Sequence, residues 1–273
     1  MKKGFAFALC TMLAVGLLAG CGAKNQDQTQ GSGNAGGKTY VIATDAAYAP
    51  MEFMDKDKIS GFDADFIDAV MKEANLKYEL KNVGWDTLLE AVKSGKEYDA
   101  AVSSVTISDE RKQTYDFSRA YFESTNMILT KEDSSIQNAL DLKDKKVAVQ
   151  VSTTADILMS GIMGADNANL KKFDSNAVAL MELDSGGVDA VVADMAVVAE
   201  YVLNNPNKKF KSIIDPDNFG SEFYGVLLPK GSELKAKLDP AIQAVIENGT
   251  YAEIYKKWFN GNEPDTAKLL EQQ

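Results

Sequence analysis

The sequence predicts an α/β protein built as two lobes of similar construction, each around a largely parallel sheet. Three observations carry that expectation. From Lys38 to about Phe259, short apolar strand-like runs alternate with helix-like ones, the order in which parallel sheets are laid down. Past Tyr121 the alternation starts afresh. The run ending Ser94-Gly95-Lys96-Glu97-Tyr98-Asp99-Ala100 is also echoed by Ser185-Gly186-Gly187-Val188-Asp189-Ala190, although shared helix–turn–strand chemistry alone can produce so short an echo. About 220 residues of this pattern suit two lobes of ordinary size.

The elements follow in order. Residues 1–20 read as a signal peptide: Lys2 and Lys3 precede an apolar run from Phe5 to Leu18, too short to span a bilayer comfortably. Leu18-Ala19-Gly20-Cys21 resembles the lipobox of bacterial lipoproteins, which makes Cys21 the expected lipidated first residue of the mature chain. Residues 21–37 are polar and rich in Gly, Asn and Gln, a tether without apolar period. Val41-Ile42-Ala43 reads as the first strand. Phe62, Phe66, Val70 and Ala74 then mark a helix to about Asn75, with Asp63 as its cap. A second helix follows Trp85-Asp86, turns Leu88, Leu89 and Val92 inward and ends at Gly95. Strand Asp99 to Val105 leads to Ser108-Asp109-Glu110, a capping side chain followed by negative charge, which predicts a helix carrying Arg111.

In the second half, Lys146 to Val151 is a strand and Ser152-Thr153-Thr154 opens a helix. Ser175-Asn176 caps another, which ends at Gly186-Gly187 before strand Val188 to Val192. Two amphipathic helices, Ser232 to Asn248 and Thr250 to Phe259, close the pattern, with Gly249 between them. Pro240 is awkward inside the first, as a kink or as its true beginning.

Composition excludes much. Cys10 leaves with the signal and Cys21 carries the lipid, so no thiol remains for a disulfide, metal or nucleophile. The chain has no histidine, which removes Ser-His-Asp and Cys-His catalysis and every histidine-dependent zinc site. The Asp63-Ala64-Asp65 pair fits no calcium loop. With 29 basic and 40 acidic residues, loss of Lys2 and Lys3 leaves 27 against 40, a net of −13. Nucleic-acid binding, which needs basic patches, is not expected. No cofactor or metal is implied.

In open α/β sheets ligands sit beyond the carboxyl ends of strands. Those ends carry Asp45 and Tyr48; then Ser103, Ser104, Thr106 and Arg111; then Gln150 through Thr153 and Thr154; then Asp194, with Trp85 at another loop. Hydroxyls, free N–H groups and a guanidinium fork suit a carboxylate. Taken alone, residues 103–111 fit a surface turn with a solvated arginine equally well. Singly, Asp45 reads as a turn former, Asp194 as a helix cap, and Tyr48 and Trp85 as core aromatics.

Over residues 38–263 the chain resembles the extracellular amino-acid-binding proteins of ABC importers, the polar amino-acid group. The resemblance rests on Thr44-Asp45-Ala46-Ala47-Tyr48-Ala49-Pro50-Met51-Glu52-Phe53, Gly61-Phe62-Asp63-Ala64-Asp65 and Thr106-Ile107-Ser108-Asp109-Glu110-Arg111. It extends to Val188 through Asp194, Asn248 through Tyr251, and Lys257-Trp258-Phe259. Asp45-Ala46-Ala47-Tyr48 and Lys81 to Trp85 look closest to binders of basic amino acids. The resemblance implies a type II periplasmic-binding-protein fold with two crossover strands, near Tyr121–Thr125 and Gly220–Tyr224. One lobe is then 38–125 plus 220–263, the other 126–219, with 264–273 a C-terminal tail.

It further implies that Arg111 and Thr106, helped by Thr153 and Thr154, hold a ligand α-carboxylate. Asp194 and an oxygen near Ser104 accept from the α-ammonium, while Tyr48 and Trp85 sandwich the side chain. Asp45 meets the far end of that side chain. Glutamine binders typically place a lysine at the position of Gln150; its absence leaves Asp45 with no partner on closure, a cost that a cationic ligand removes. Arginine is therefore expected first, then lysine, ornithine or histidine, with an ABC permease and its ATPase as partners and a lipid anchor on the outer face of the membrane. Glutamine or another polar amino acid is the alternative, as is a cyclohexadienyl-type dehydratase on the same scaffold. Ser152 departs from the family pattern, standing where many relatives have glycine.

Overall fold

The computed structural model describes residues 37–272. The expected signal peptide, the expected lipidation at Cys21 and nearly all of the expected tether, residues 21–37, lie outside them. The first half runs β1 (Thr39–Thr44), β2 (Ala47–Tyr48), β3 (Glu52–Asp55), β4 (Lys58–Ser60), α1 (Phe62–Glu73), β5 (Lys77–Asn82), α2 (Trp85–Ser94), β6 (Ala100–Ala101) and α3 (Arg111–Thr114). The long strand β7 (Tyr115–Lys131) follows. Then come a 3₁₀ turn (Ala139–Leu142), β8 (Val147–Gln150), α4 (Thr154–Met163), β9 (Leu170–Phe173), α5 (Asn176–Ser185), β10 (Ala190–Asp194), α6 (Met195–Asn204) and β11 (Phe210–Ile214). The chain closes with β12 (Ser221–Pro229), α7 (Lys235–Glu247), α8 (Thr250–Trp258) and α9 (Thr266–Glu271).

Strands pair in the order β5-β1-β6-β12-β7-β10-β8-β9, with β11 also on β7, while β2, β3 and β4 form a small separate sheet. The outer pairs are parallel and those touching β7 antiparallel. β7 belongs to both lobes: Tyr115 to Thr125 pairs with β12, and Asn126 to Lys131 with β10 and β11. The two crossover segments lie side by side, Ser221 opposite Thr125 and Tyr224 opposite Phe122.

Alternation along each strand builds the cores. Ile42, Val226 and Leu228 face one core with Phe62, Phe66 and Tyr121, whereas Ala43 and Leu227 face another with Trp85, Leu88 and Val92. In the second lobe Val147, Val149 and Val192 face one side, Ala148, Val191 and Ala193 the other. Both sheet faces are covered, which is why these strands read as continuous apolar runs.

Several sequence expectations shift. Gly61, not Asp63, caps α1, at φ 130°. A side chain there meets the Met51 carbonyl oxygen at 2.2 Å from Cβ, so glycine is required and Asp63 turns into the core instead. The strand expected over 99–105 is only Ala100–Ala101, because Ser104 at φ 51° turns the chain away, leaving Thr106 in a single bridge to Tyr224. The helix after Ser108 is one turn, cut short where Tyr115 enters β7, although Ser108 Oγ does accept the Arg111 N–H at 3.2 Å. β10 begins two residues later than expected and runs into Asp194. Pro240 stands inside α7. The supposed tail contains α9, whose Leu269 is buried.

Candidate ligand-binding site

All eleven residues singled out at strand ends line one cleft of about 330 Å³, counting its open mouth, and Glu52 joins them. At the end of β1 the Asp45 N–H donates to Ser103 Oγ (3.0 Å), and Ser103 Oγ donates to Glu52 Oε1 (2.8 Å). Ser104 Oγ donates to Glu52 Oε2 (3.3 Å). Behind them Asp63 Oδ2 accepts the Ser104 N–H and the Tyr121 hydroxyl, each at 2.8 Å. Asp63 Oδ1 is buried without a partner. Burial and the adjacent Asp63 carboxylate push Glu52 well above the ordinary carboxyl range, and burial lifts Asp63 to about 6. Two buried carboxyls side by side do not both ionise, so the floor of the cleft holds a proton.

Arg111 reaches across. Its guanidinium donates to the Thr106 carbonyl and the Ser152 carbonyl, each at 3.1 Å, and lies 5.5 Å from the Trp85 ring centroid. Burial lowers its pKa while the Glu222 and Asp194 charges oppose that. Ser152 adopts φ 61°, a left-handed conformation that glycine enters without cost. The serine is held there by its N–H on Asp156 Oδ2 (3.1 Å). Thr153 caps α4, accepting the Asp156 N–H (3.3 Å) while its hydroxyl proton goes to the Gln150 carbonyl (2.7 Å). Its side chain is therefore committed to the helix.

Asp194 ends β10, and its Oδ2 accepts from both Tyr48 Oη and Tyr224 Oη at 2.6 Å. Burial, with the Glu222 charge, raises it to about 6 against these hydrogen bonds. Tyr48 thus lines the cleft with its hydroxyl committed to Asp194. At the opposite end Asp45 is likewise raised to about 6 by burial, opposed by Gln150. Gln150 Nε2 lies 3.4 Å from Asp45 Oδ2 and is oriented by the Asp174 carbonyl (3.1 Å) and by Asn176, which donates to its Oε1 (2.9 Å). Among the described residues no ion pair involves Asp45, Glu52, Asp63 or Asp194.

Sequence reading missed two carboxyls here. Glu52 stood in a quoted motif but was given no role. Glu222, on β12, accepts from the hydroxyls of Thr106 and Thr154, both at 2.8 Å. No local pattern marks it; only the pairing of the crossover strands brings it against Thr106 and Thr154 at the edge of the cleft.

The family model for bacterial extracellular solute-binding proteins, family 3, matches residues 40–261. The chain belongs to this family. It is 40% identical to a probable histidine-binding protein of Neisseria gonorrhoeae over 95% of this chain and 96% of that one. It is 30% identical to the arginine-binding extracellular protein ArtP of Bacillus subtilis, over 96% and 99%. Among solved structures, the arginine-, lysine-, histidine-binding protein ArtJ of Geobacillus stearothermophilus superposes with a TM-score of 0.83 at 55% identity, covering 86% of this chain and all of that one. The family 3 fold is thus the two-lobed type II architecture expected. No described helix is long and apolar enough to cross a membrane.

Proposed function

We propose that this family 3 protein is the ligand-capturing component of an ABC importer and that its ligand is an amino acid with a cationic side chain, arginine foremost. The observation that carries the reading is Asp45: a buried carboxylate at one end of the cleft, faced by the neutral amide of Gln150 and by no basic side chain among those described. A buried carboxylate without a cation is costly, and a guanidinium or ammonium supplied by the ligand removes that cost. At the other end Arg111, Thr106 and Thr154 take the α-carboxylate, with the N-terminal end of α4 contributing, and Asp194 takes the α-ammonium. The ligands of these relatives, histidine, arginine and lysine, support the same class.

In this reading residues 38–125 with 220–263 form one lobe and 126–219 the other, closing about the crossover strands. Cys21 carries the lipid anchor, binding is reversible, and ATP hydrolysis belongs to the partner transporter. Calorimetric titration of the protein with each standard amino acid tests it. Arginine, lysine and histidine should bind tightest; a clear preference for glutamine, glutamate or cystine overturns the specificity.

A further inference from the structure

Glu222 lies where three segments meet. Its Oε2 accepts from Thr106 Oγ1, on the strand-end loop of the first lobe, and from Thr154 Oγ1, at the start of α4 in the second, each at 2.8 Å. Its Oε1 accepts from Asn126 Nδ2 (2.9 Å), at the residue of β7 where pairing passes from β12 to β10. Asn126 Nδ2 also reaches Thr154 Oγ1 at 3.3 Å. One carboxylate therefore gathers donors from both lobes and the crossover, within the field of Arg111.

A hydroxyl has a single proton to donate. Thr106 and Thr154 cannot give theirs both to Glu222 and to the carboxylate of an amino acid. Two carboxylates drawn to the same donors and the same guanidinium also repel one another. We propose that Glu222 is an internal competitor for the α-carboxylate subsite, a tethered carboxylate that an incoming amino acid must displace and that thereby holds affinity down. This rests on the assignment of Thr106, Thr154 and Arg111 to the α-carboxylate. It gives Glu222 a part distinct from that of Asp194, whose partners are two tyrosine hydroxyls.

The test is calorimetric titration of the full-length protein and of Glu222→Gln and Glu222→Ala, with arginine and with agmatine, the same side chain and amine without the carboxylate. Arginine should bind the variants about threefold or more tighter than the unmodified protein, from relief of like-charge repulsion, while agmatine should gain nothing. Arginine affinity unchanged or weakened by both substitutions overturns the proposal; weakening would make Glu222 an acceptor for the ammonium. Glutamine, titrated in parallel, keeps the two readings apart. If the unmodified protein prefers glutamine, the specificity reading falls, and glutamine's own tightening or its absence then decides the role of Glu222. Should the variants unfold, a crystal structure of the unmodified protein with bound amino acid decides. Glu222 should have left Thr106 and Thr154, and both bonds retained beside the ligand overturn the proposal.

Discussion

Tyr48 on β2 donates its hydroxyl to Asp194 at the end of β10, 2.6 Å across the cleft. This bond fastens one lobe to the other at the residue proposed to receive the α-ammonium. Removing it with Tyr48→Phe keeps the ring and takes away a hydrogen bond to a charged group, worth roughly 1.5 kcal/mol or more, so arginine affinity should fall about tenfold. The loss should be larger at pH 6 than at pH 8. The hydroxyl holds the Asp194 carboxyl down against burial, and without it the group is protonated over more of that range. Titration at both pH values checks the split.

Asp45→Asn tests the proposed selector. The substitution preserves shape and the contact to Gln150 but removes the charge. Arginine and lysine should weaken by about a hundredfold, the scale of a lost charge-assisted hydrogen bond, while the ligand-free thermal midpoint at neutral pH should hold or rise, because a buried unpaired charge is removed. Undiminished arginine binding would remove Asp45 from the role.

The carboxyls give binding and stability opposite pH dependences. Asp45 and Asp194 titrate near 6 in the fold against an ordinary 3.8. A cationic ligand and an α-ammonium need both ionised, so arginine affinity should drop steeply as pH falls below about 6. Folding shows the reverse sign. A carboxyl whose folded pKa is raised leaves the native state holding more protons than the unfolded chain between about 3.8 and 6. Its stabilising contribution is present below that window and lost as pH rises through it. Without amino acid the thermal midpoint should therefore fall between pH 5 and pH 7, and a basic ligand should restore it.

Asp63 illustrates what could be read from sequence and what could not. Its position after Gly61-Phe62 at a helix start matches capping chemistry, yet the glycine conformation gives the cap away and frees the side chain to hold Ser104 from behind. Ten of the eleven cleft residues were legible because they follow apolar strands, and strand ends in such sheets converge; Trp85 follows the polar strand β5 and was placed only at a loop. Glu222 and Glu52 were not, since a lone glutamate beside aromatic residues carries no period and only long-range pairing brings it inward. α6 was lost because Met195 to Leu203 is apolar almost throughout, with no polar face to reveal a helical period. Asp63→Ala would orphan the buried Ser104 N–H and Tyr121 hydroxyl. Urea denaturation should show a loss of roughly 2–6 kcal/mol, at 1–3 kcal/mol for each of the two buried donors left unpaired.

The C-terminal helix offers a stability test that leaves the cleft alone. Residues 264–273 read as a tail because the resemblance stops at residue 263, but a short apolar pair, Leu269 and Leu270, suffices to dock one and a half turns. Leu269 is buried against the first-lobe core. The Leu270 carbonyl accepts from Arg119 Nη2 (3.1 Å), and Lys268 pairs with Glu123 on the crossover part of β7, which also accepts from Ser221 Oγ (2.8 Å). α9 thus braces both crossover strands from outside the cleft, and none of its residues lines that cleft. Leu269→Ala should cost about 2–4 kcal/mol of stability, the range for a buried leucine truncated in place. Arginine affinity measured below the unfolding transition should stay within about twofold, since no group that meets the ligand moves. A large loss of affinity instead would mean that the brace sets the hinge geometry, and that α9 belongs to the closing machinery rather than to the scaffold.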